Sequence, residues 1–163
     1  MRILSLYCGI GGHTSLIPRS CSVTAIDTSV YALSVYRELF PEDIAYCYDA
    51  ISFLLEHHYA YSFIFATPPP RNAELKQLLC LLMESPSIPY CLQICSKDFY
   101  PKHTIQKILD YEFCCSFDIS WRNPVVKPKP KVLGNATPEM IANMLPSEIG
   151  LHIFNCLLSY NAK

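Results

Sequence analysis

Three glycines follow the first apolar run of the chain, and this segment has the residue types best suited to binding a ligand. Residues 3–7 read Ile-Leu-Ser-Leu-Tyr, and Gly9, Gly11 and Gly12 come directly after them. Buried parallel strands are mostly apolar, and glycine permits the sharp turn and the close approach of backbone to ligand that a binding loop needs. At the first strand-to-turn junction of an α/β domain, this pattern predicts a nucleotide or nucleoside site. The glycines alone are equally compatible with a tight turn that binds nothing.

Two carboxylates follow the next two predicted strands. Asp27 ends the strand predicted at 23–27, and Asp49 follows the strand predicted at 44–48. Asp27 is placed to accept hydrogen bonds from both hydroxyls of a ribose, and Asp49 to accept one from an adenine amino group. Each acid taken alone is also a normal cap for the helix that follows it. Matched features at three consecutive strand ends favour a cofactor site over this simpler interpretation.

The elements that would position these residues alternate between strand and helix. Strands are predicted at 3–7, 23–27, 44–48, 62–66, 90–95 and 113–119, and helices at 14–17, 29–40, 52–58, 73–84, 104–109 and from 137 to 158 with a break at Pro146. Such alternation predicts a doubly wound α/β fold with a mainly parallel sheet and right-handed crossovers. We expect an antiparallel partner strand near 113–119.

Composition bounds the class of protein further. A chain of 163 residues that is 51% hydrophobic suits a single domain over 1–163, and its net charge of −1 gives no electrostatic reason to expect nucleic acid. Nine cysteines without a Cys-x-x-Cys pair, and no signal peptide or membrane-length apolar run, predict an intracellular chain, cytoplasmic or nuclear, without a metal site. A proline-rich connector at 121–134 carries four cations, Arg122, Lys127, Lys129 and Lys131.

These motifs together resemble the cytosine-5 methyltransferases, which methylate cytosine in DNA and, in one eukaryotic branch, in tRNA. The family's first motif, Phe-x-Gly-x-Gly-Gly, is similar to residues 7–12, and its second and third motifs are similar to 25–27 and 49–51. Near the other end, the Gly-Asn-Ala-Thr-Pro of 134–138 resembles the family's last motif, Gly-Asn-Ala-Val-Pro. The resemblance therefore covers both ends of the chain.

The resemblance implies a Rossmann-like methyltransferase fold with S-adenosylmethionine, or S-adenosylhomocysteine, as its cofactor. It implies nine cofactor-binding residues: Tyr7, Gly9, Gly11 and Gly12 at the methionine moiety, Asp27 at the ribose, Thr28 or Ile51 against the adenine with Asp49 at its edge, and Asn135 on the other side of the cofactor. The helix after Asn135 would then close the cofactor pocket beside the first helix.

The family's catalytic groups are missing at the matching positions. Its cysteine nucleophile adds to carbon-6 of cytosine from a Pro-Cys dipeptide after the fourth strand, whereas Pro70 stands here, with Arg71 where glutamine is usual. Gln93 replaces the glutamate of the Glu-Asn-Val motif, and the short connector 121–134 replaces the target-recognition region. The resemblance thus implies a pseudoenzyme, or a regulatory subunit of a DNA-methylating enzyme, whose partner is a catalytic methyltransferase or a second copy of this chain.

Two other interpretations stay open. RNA-directed members carry their nucleophile on the fifth strand in Thr-Cys-Ser, and Ile94-Cys95-Ser96 offers a thiol there, so an active minimal DNA or RNA cytosine-5 methyltransferase would use Cys95 or a complementing partner chain. A packed, inert thiol among apolar neighbours is the favoured explanation of Cys95. Amino-group methyltransferases use Asp, Asn or Ser before Pro-Pro-aromatic, and Thr67-Pro68-Pro69 matches only the two prolines.

Overall fold

The chain folds around one seven-stranded sheet, seen in a computed structural model that describes residues 1–69, 72–84, 87–94, 105–119, 124–129 and 133–162. The strands are β1 (Arg2–Leu6), β2 (Ser22–Asp27), β3 (Ile44–Cys47), β4 (Phe63–Ala66), β5 (Tyr90–Ile94), β6 (Ile105–Ile108) and β7 (Tyr111–Cys115). Their order is β3-β2-β1-β4-β5-β7-β6; β1 to β5 are parallel, and β7 is antiparallel to both its neighbours. The predicted doubly wound, mainly parallel α/β fold is confirmed.

Five helices connect and cover the strands of the described chain. They are α1 (Val30–Leu39), α2 (Ala50–His57), α3 (Asn72–Glu84), α4 (Pro138–Asn143) and α5 (Ser147–Asn161). The Ser29 hydroxyl accepts a hydrogen bond from the Ala32 N–H at the start of α1, and Thr137 caps α4 with Pro138 in the first turn, as the sequence predicts. Within the residues described, no helix is both long and apolar enough to cross a membrane.

The two faces of the sheet are covered by different helices, because side chains alternate along each strand. Leu4 and Leu6 of β1 pack on one face with residues of α2 and α3. Ile3 packs on the other face with Phe65 and with residues of α5. Helices α1 and α4 join α5 on this second face, where Ile141 packs against the α1 side chains. Because β1 to β5 run parallel to one another, their carboxyl ends all lie at the same edge of the sheet.

The helix predicted at 104–109 is wrong. Residues Ile105–Ile108 form β6, which pairs antiparallel with β7. Ile105 and Ile108 have the spacing of a helical face, but a run of four residues cannot distinguish the two periods. Pairing with β7 decides in favour of a strand, through a two-residue turn in which Leu109 has a φ of 53°. The predicted antiparallel partner strand is confirmed, with β7 at Tyr111–Cys115 rather than 113–119.

The crossover from β1 to β2 contains one short helical turn in place of a full α-helix. The expected helix at 14–17 is instead a single 3-10 turn at Gly12–Thr14. His13 in this turn is fully buried, its Nε2 lies 2.7 Å from the Ser5 hydroxyl of β1, and its ring packs on Phe65 with centroids 4.6 Å apart. Helix α5 presses on the same turn, because a Cβ on Gly150 would overlap the His13 carbonyl oxygen. The imidazole thus fixes this short crossover onto the sheet.

Burial gives this imidazole a pH-dependent effect on stability. It lowers the pKa of His13 from 6.5 to about 4, so the folded chain holds the ring neutral while the unfolded chain protonates it near pH 6.5. The unfolded state therefore binds more protons between these values, and the free energy of unfolding falls by up to about 3 kcal/mol as the pH drops from 6.5 to 4.

We expect urea unfolding of the wild-type chain to show this loss, and His13→Gln to show a shallower pH dependence over the same range. Gln is uncharged at every pH and keeps a partner for Ser5. His57→Gln, at a partly exposed ring on α2, serves as the control and should keep the wild-type slope. Equal slopes for the wild-type chain and His13→Gln would contradict the assignment.

Candidate cofactor site

The glycine segment follows β1 with a backbone conformation that residues other than glycine rarely adopt. Tyr7, Gly9 and Gly11 have φ angles of 52°, 53° and 85°. Only glycine adopts this left-handed region without cost, so Tyr7 is a strained residue at the end of the central strand. The Gly11 N–H closes the turn on the Cys8 carbonyl oxygen at 2.9 Å. The segment therefore forms the tight turn that the sequence predicts, directly above the carboxyl end of β1.

The Asp27 carboxylate joins this turn to the start of α1. Its Oδ2 accepts a hydrogen bond from the Gly9 N–H at 2.8 Å, and its Oδ1 accepts one from the Ser29 N–H at 2.9 Å. An ionised carboxylate offers about four acceptor positions. Two of them hold the protein, and the two others suffice for the hydroxyls of a ribose. Asp27 is half-buried, so this acceptor is partly shielded from water.

The Cys8 thiol lies inside the same turn and is unsuited to nucleophilic chemistry. Burial raises the pKa of Cys8 far above its usual range, and the negative charge of Asp27 raises it further. Because the thiolate is the reactive form of cysteine, a thiol held protonated in this way is inert. Cys8 is a packing residue that lies against α1 and β2.

The next strand end places Asp49 beside Asp27. The Tyr48 N–H donates to the Asp27 carbonyl oxygen at 3.1 Å, so the two acids follow paired strands at one edge of the sheet. Asp49 is exposed and caps α2, its Oδ1 accepting from the Ser52 N–H at 2.7 Å. Asp49 therefore caps α2 with one carboxylate oxygen, and its second oxygen remains for a ligand. Ile51 lies buried in the first turn of α2.

Two further predicted residues show different environments. Thr28 is exposed at the end of β2, next to Asp27. Asn135 lies on the outer surface of α1: its Nδ2 donates to both carboxylate oxygens of Glu38 at 3.0 Å, and its carbonyl oxygen accepts from the Tyr31 hydroxyl. The contacts of the described residues thus place Asn135 in a turn against α1 and the other eight predicted residues near the strand ends.

A cavity of about 270 Å³ lies behind the glycine segment, and sequence reasoning missed it. Its walls are Ile10, Gly11, Gly12, Ser15, Leu39, Phe40, Leu133, Met144 and Ser147. Leu39 and Phe40 end α1, which runs from the carboxyl end of β2 to the amino end of β3. The cavity therefore opens in the helical layer, away from Asp27. Its walls come from four separate segments of the chain, so no local sequence pattern could have revealed it.

The end of β4 contacts the same turn. Of the positions that match the family's catalytic motifs, Gln93 lies among the described residues. The Thr67 hydroxyl donates to the Tyr7 carbonyl oxygen at 2.9 Å, which joins the Thr-Pro-Pro segment to the glycine turn. Gln93 lies in β5, half-buried and opposite Phe113. Pro70, Arg71 and Cys95 lie outside the described residues, as do Arg122 and Lys131 of the connector.

Among solved structures, this fold is similar to that of several proteins of low sequence identity. A hypothetical protein of Thermus thermophilus is 16% identical, with 70% of this chain and 73% of that chain covered and a TM-score of 0.57. The Escherichia coli protein YhhF, described as a putative methyltransferase, is 14% identical over 70% of this chain and 74% of its own, with a TM-score of 0.53. TrmN, also of Thermus thermophilus, is 16% identical over 71% of this chain and 42% of its own, with a TM-score of 0.50.

No protein-family model matches the sequence, and no curated protein matches it. The similarity is therefore one of structure at low sequence identity. It establishes the fold class: the chain has the Rossmann-like fold of the S-adenosylmethionine-dependent methyltransferases, with a mostly parallel seven-stranded sheet.

Gly9 and Gly11 make a matched pair that tests the geometry of the turn. Both have positive φ, but a Cβ on Gly9 meets open space whereas one on Gly11 meets the rings of Tyr36 and Phe40. We expect Gly9→Ala to lower the free energy of unfolding by about 1–2 kcal/mol, from backbone strain alone. Gly11→Ala should cost about 1–3 kcal/mol more, because the rings must move. Urea unfolding followed by circular dichroism measures both, and equal losses would contradict this geometry.

Proposed function

We propose that the chain binds S-adenosylmethionine or S-adenosylhomocysteine at the carboxyl edge of β1, β2 and β3. The observation that carries this proposal is the arrangement of Asp27, whose carboxylate holds the Gly9 N–H and keeps two acceptor positions for a ribose. The Tyr7 and Gly9 backbone, with positive φ beside this carboxylate, leaves room for a ligand against the main chain. The methyltransferase fold supports the same cofactor.

We further propose that this chain descends from the cytosine-5 methyltransferases and does not catalyse methyl transfer by itself. The motifs at 7–12 and 134–138 support the descent. Pro70 stands at the nucleophile position, and a proline has no group that can add to carbon-6 of a cytosine. The nearby Cys8 thiol cannot substitute, because its raised pKa keeps it protonated. The chain would then act as a pseudoenzyme that regulates a catalytic methyltransferase partner or a second copy of itself.

One observation favours a second candidate, an active cytosine-5 methyltransferase that uses Cys95. Strand β5 lies next to β4 in the sheet and runs parallel to it, so their carboxyl ends are neighbours. Ile94 is the last residue of β5, and Cys95 follows it directly. RNA-directed members of the family carry their nucleophile at the matching sequence position of the fifth strand. DNA and RNA are both candidate substrates under this proposal.

Isothermal titration with S-adenosylmethionine and S-adenosylhomocysteine tests the cofactor. We expect the wild-type chain to bind, and Asp27→Asn to bind at least about tenfold more weakly, because a hydrogen bond to a charged group contributes roughly 1.5–3 kcal/mol. Asp110→Asn makes the same chemical change at the exposed turn between β6 and β7, four strands away from β2, and it should bind as the wild type does. A folded wild-type chain that binds neither compound would refute the cofactor proposal.

Transfer of labelled methyl groups to DNA and to RNA separates the two candidates. The pseudoenzyme proposal expects no transfer by the chain alone. The second candidate expects transfer that disappears in Cys95→Ala and persists in Cys80→Ala, an exposed thiol on α3. Robust transfer that survives Cys95→Ala would contradict both, since neither a displaced nucleophile nor an inactive chain explains it.

A further inference from the structure

Two cysteines face each other across the junction between the parallel and antiparallel parts of the sheet. Cys91 of β5 is directly opposite Cys115 of β7, and their sulfur atoms are 2.9 Å apart. Both side chains lie on the face of the sheet that α5 covers. Cys114 is the next residue along β7, and it packs on the opposite face with Leu92. Cys115 is therefore the β7 thiol that shares a face with Cys91.

The backbone at this junction suits a covalent link between the two sulfurs. The Ser116 N–H donates to the Tyr90 carbonyl oxygen, so the adjacent pair, Cys91 and Cys115, is a non-hydrogen-bonded pair of the antiparallel ladder. In such pairs the Cα atoms are about 4.5 Å apart and the side chains approach each other closely. Disulfides need Cα separations of roughly 4.4–6.8 Å. The pairing of the two strands therefore provides the separation that a disulfide needs.

We propose that Cys91 and Cys115 are an oxidation site, a dithiol that a peroxide or a glutathione disulfide converts to a reversible cross-strand disulfide. Cys115 is half-buried, whereas Cys91 is fully buried, so an oxidant meets Cys115 first. With hydrogen peroxide, the sulfur of Cys115 gains one oxygen to form a sulfenic acid and one water leaves. The sulfur of Cys91 then attacks Cys115, the S–O bond breaks, and the Cys91 proton leaves with the second water.

The two steps balance as two thiols and one peroxide giving one disulfide and two waters, with two electrons moving from sulfur to oxygen. The order of the steps agrees with the surroundings of the pair. Burial, with the adjoining thiols, raises the pKa of Cys91, so that this sulfur is a poor first nucleophile toward an oxidant in solution. Its attack on the sulfenic acid needs no preformed thiolate, because the Cys91 proton passes to the departing hydroxyl as the S–S bond forms. A thiol reductant reverses the bond by exchange.

The disulfide would tie β7 to β5 beside the carboxyl end of β5. It closes the loop from 91 to 115, which contains β6 and the residues that directly follow β5. A cross-link over a loop of this length restricts the unfolded chain and so stabilises the folded one. The proposed disulfide does not depend on the proposed cofactor or on methyl transfer, because it is measured through thiol content and stability.

The test is oxidation of the purified full chain in glutathione buffers of graded redox ratio, followed by trapping of the remaining thiols. We expect two of the nine thiols to be lost together, fragment-ion spectra to join Cys91 to Cys115, and the urea midpoint to rise on oxidation. Cys115→Ser should keep its eight thiols reduced at the same ratios and show no rise. Cys91→Ala, which stays apolar at the buried position, checks the result should the serine variant fold poorly.

Cys114→Ala is the matched control, one residue away on the opposite face, and it should form the same cross-link as the wild type. Cys156 of α5 packs against the same cluster and is the competing partner. A cross-link from Cys115 to Cys156, a cross-link that survives in Cys115→Ser, or nine thiols that remain reduced while glutathione is mostly oxidised would each overturn the proposal.

Discussion

The central position of β1 is the constraint on which the rest of the structure depends. This strand pairs in parallel with β2 on one side and with β4 on the other, so three strand ends converge where the glycine segment begins. Its two faces carry Leu4 and Leu6 toward one helical layer and Ile3 toward the other. The chain must leave this strand sharply, because a buried parallel strand has no room to continue past the edge of its neighbours. The positive φ angles at Tyr7, Gly9 and Gly11 are the consequence.

Polar groups then fix the path that the chain takes from this point. Asp27 holds the outward turn through the Gly9 N–H, and Thr67 holds it through the Tyr7 carbonyl oxygen. His13 and Ser5 hold the return path under α5. These bonds tie the turn to β2, to the residue after β4 and to β1, so its path is fixed by the protein's own contacts. Such preorganisation is what a binding loop requires if its ligand is not to bear the entropy of ordering it.

The same arrangement separates the ability to bind from the ability to react. The residues that would hold a nucleotide are backbone groups and carboxylates at β1, β2 and β3, which the fold itself positions. Under the proposed function, the residues that would react with a base belong to other segments, those that follow β4 and β5 in the sequence. Binding and reaction would then depend on different segments of the chain, so that a change in one need not affect the other.

How far the sequence predicts this structure differs from element to element. The apolar runs at 3–7 and 23–27 and the caps Ser29 and Thr137 predict their elements within one or two residues, since each depends on local pattern and local hydrogen bonds. The strand at Ile105–Ile108 was not predictable from its own residues, because both periods fit four positions and the partner strand decides between them.

The candidate site divides in the same way. The residue types at Gly9, Gly11, Asp27 and Asp49 and their places after strands are properties of the sequence, and they predict one shared edge. The sequence does not reveal the contacts between residues that lie apart in the chain. These are the bond from Gly9 to Asp27, the contact of Asn135 with α1, the burial of the His13 imidazole, and the contact of Cys91 with Cys115. Sequence alone determined most of the elements, and it placed the glycines and the two acids after the strands of the parallel sheet. Tertiary structure decided which of those residues meet, since burial and strand pairing act only once the chain is folded.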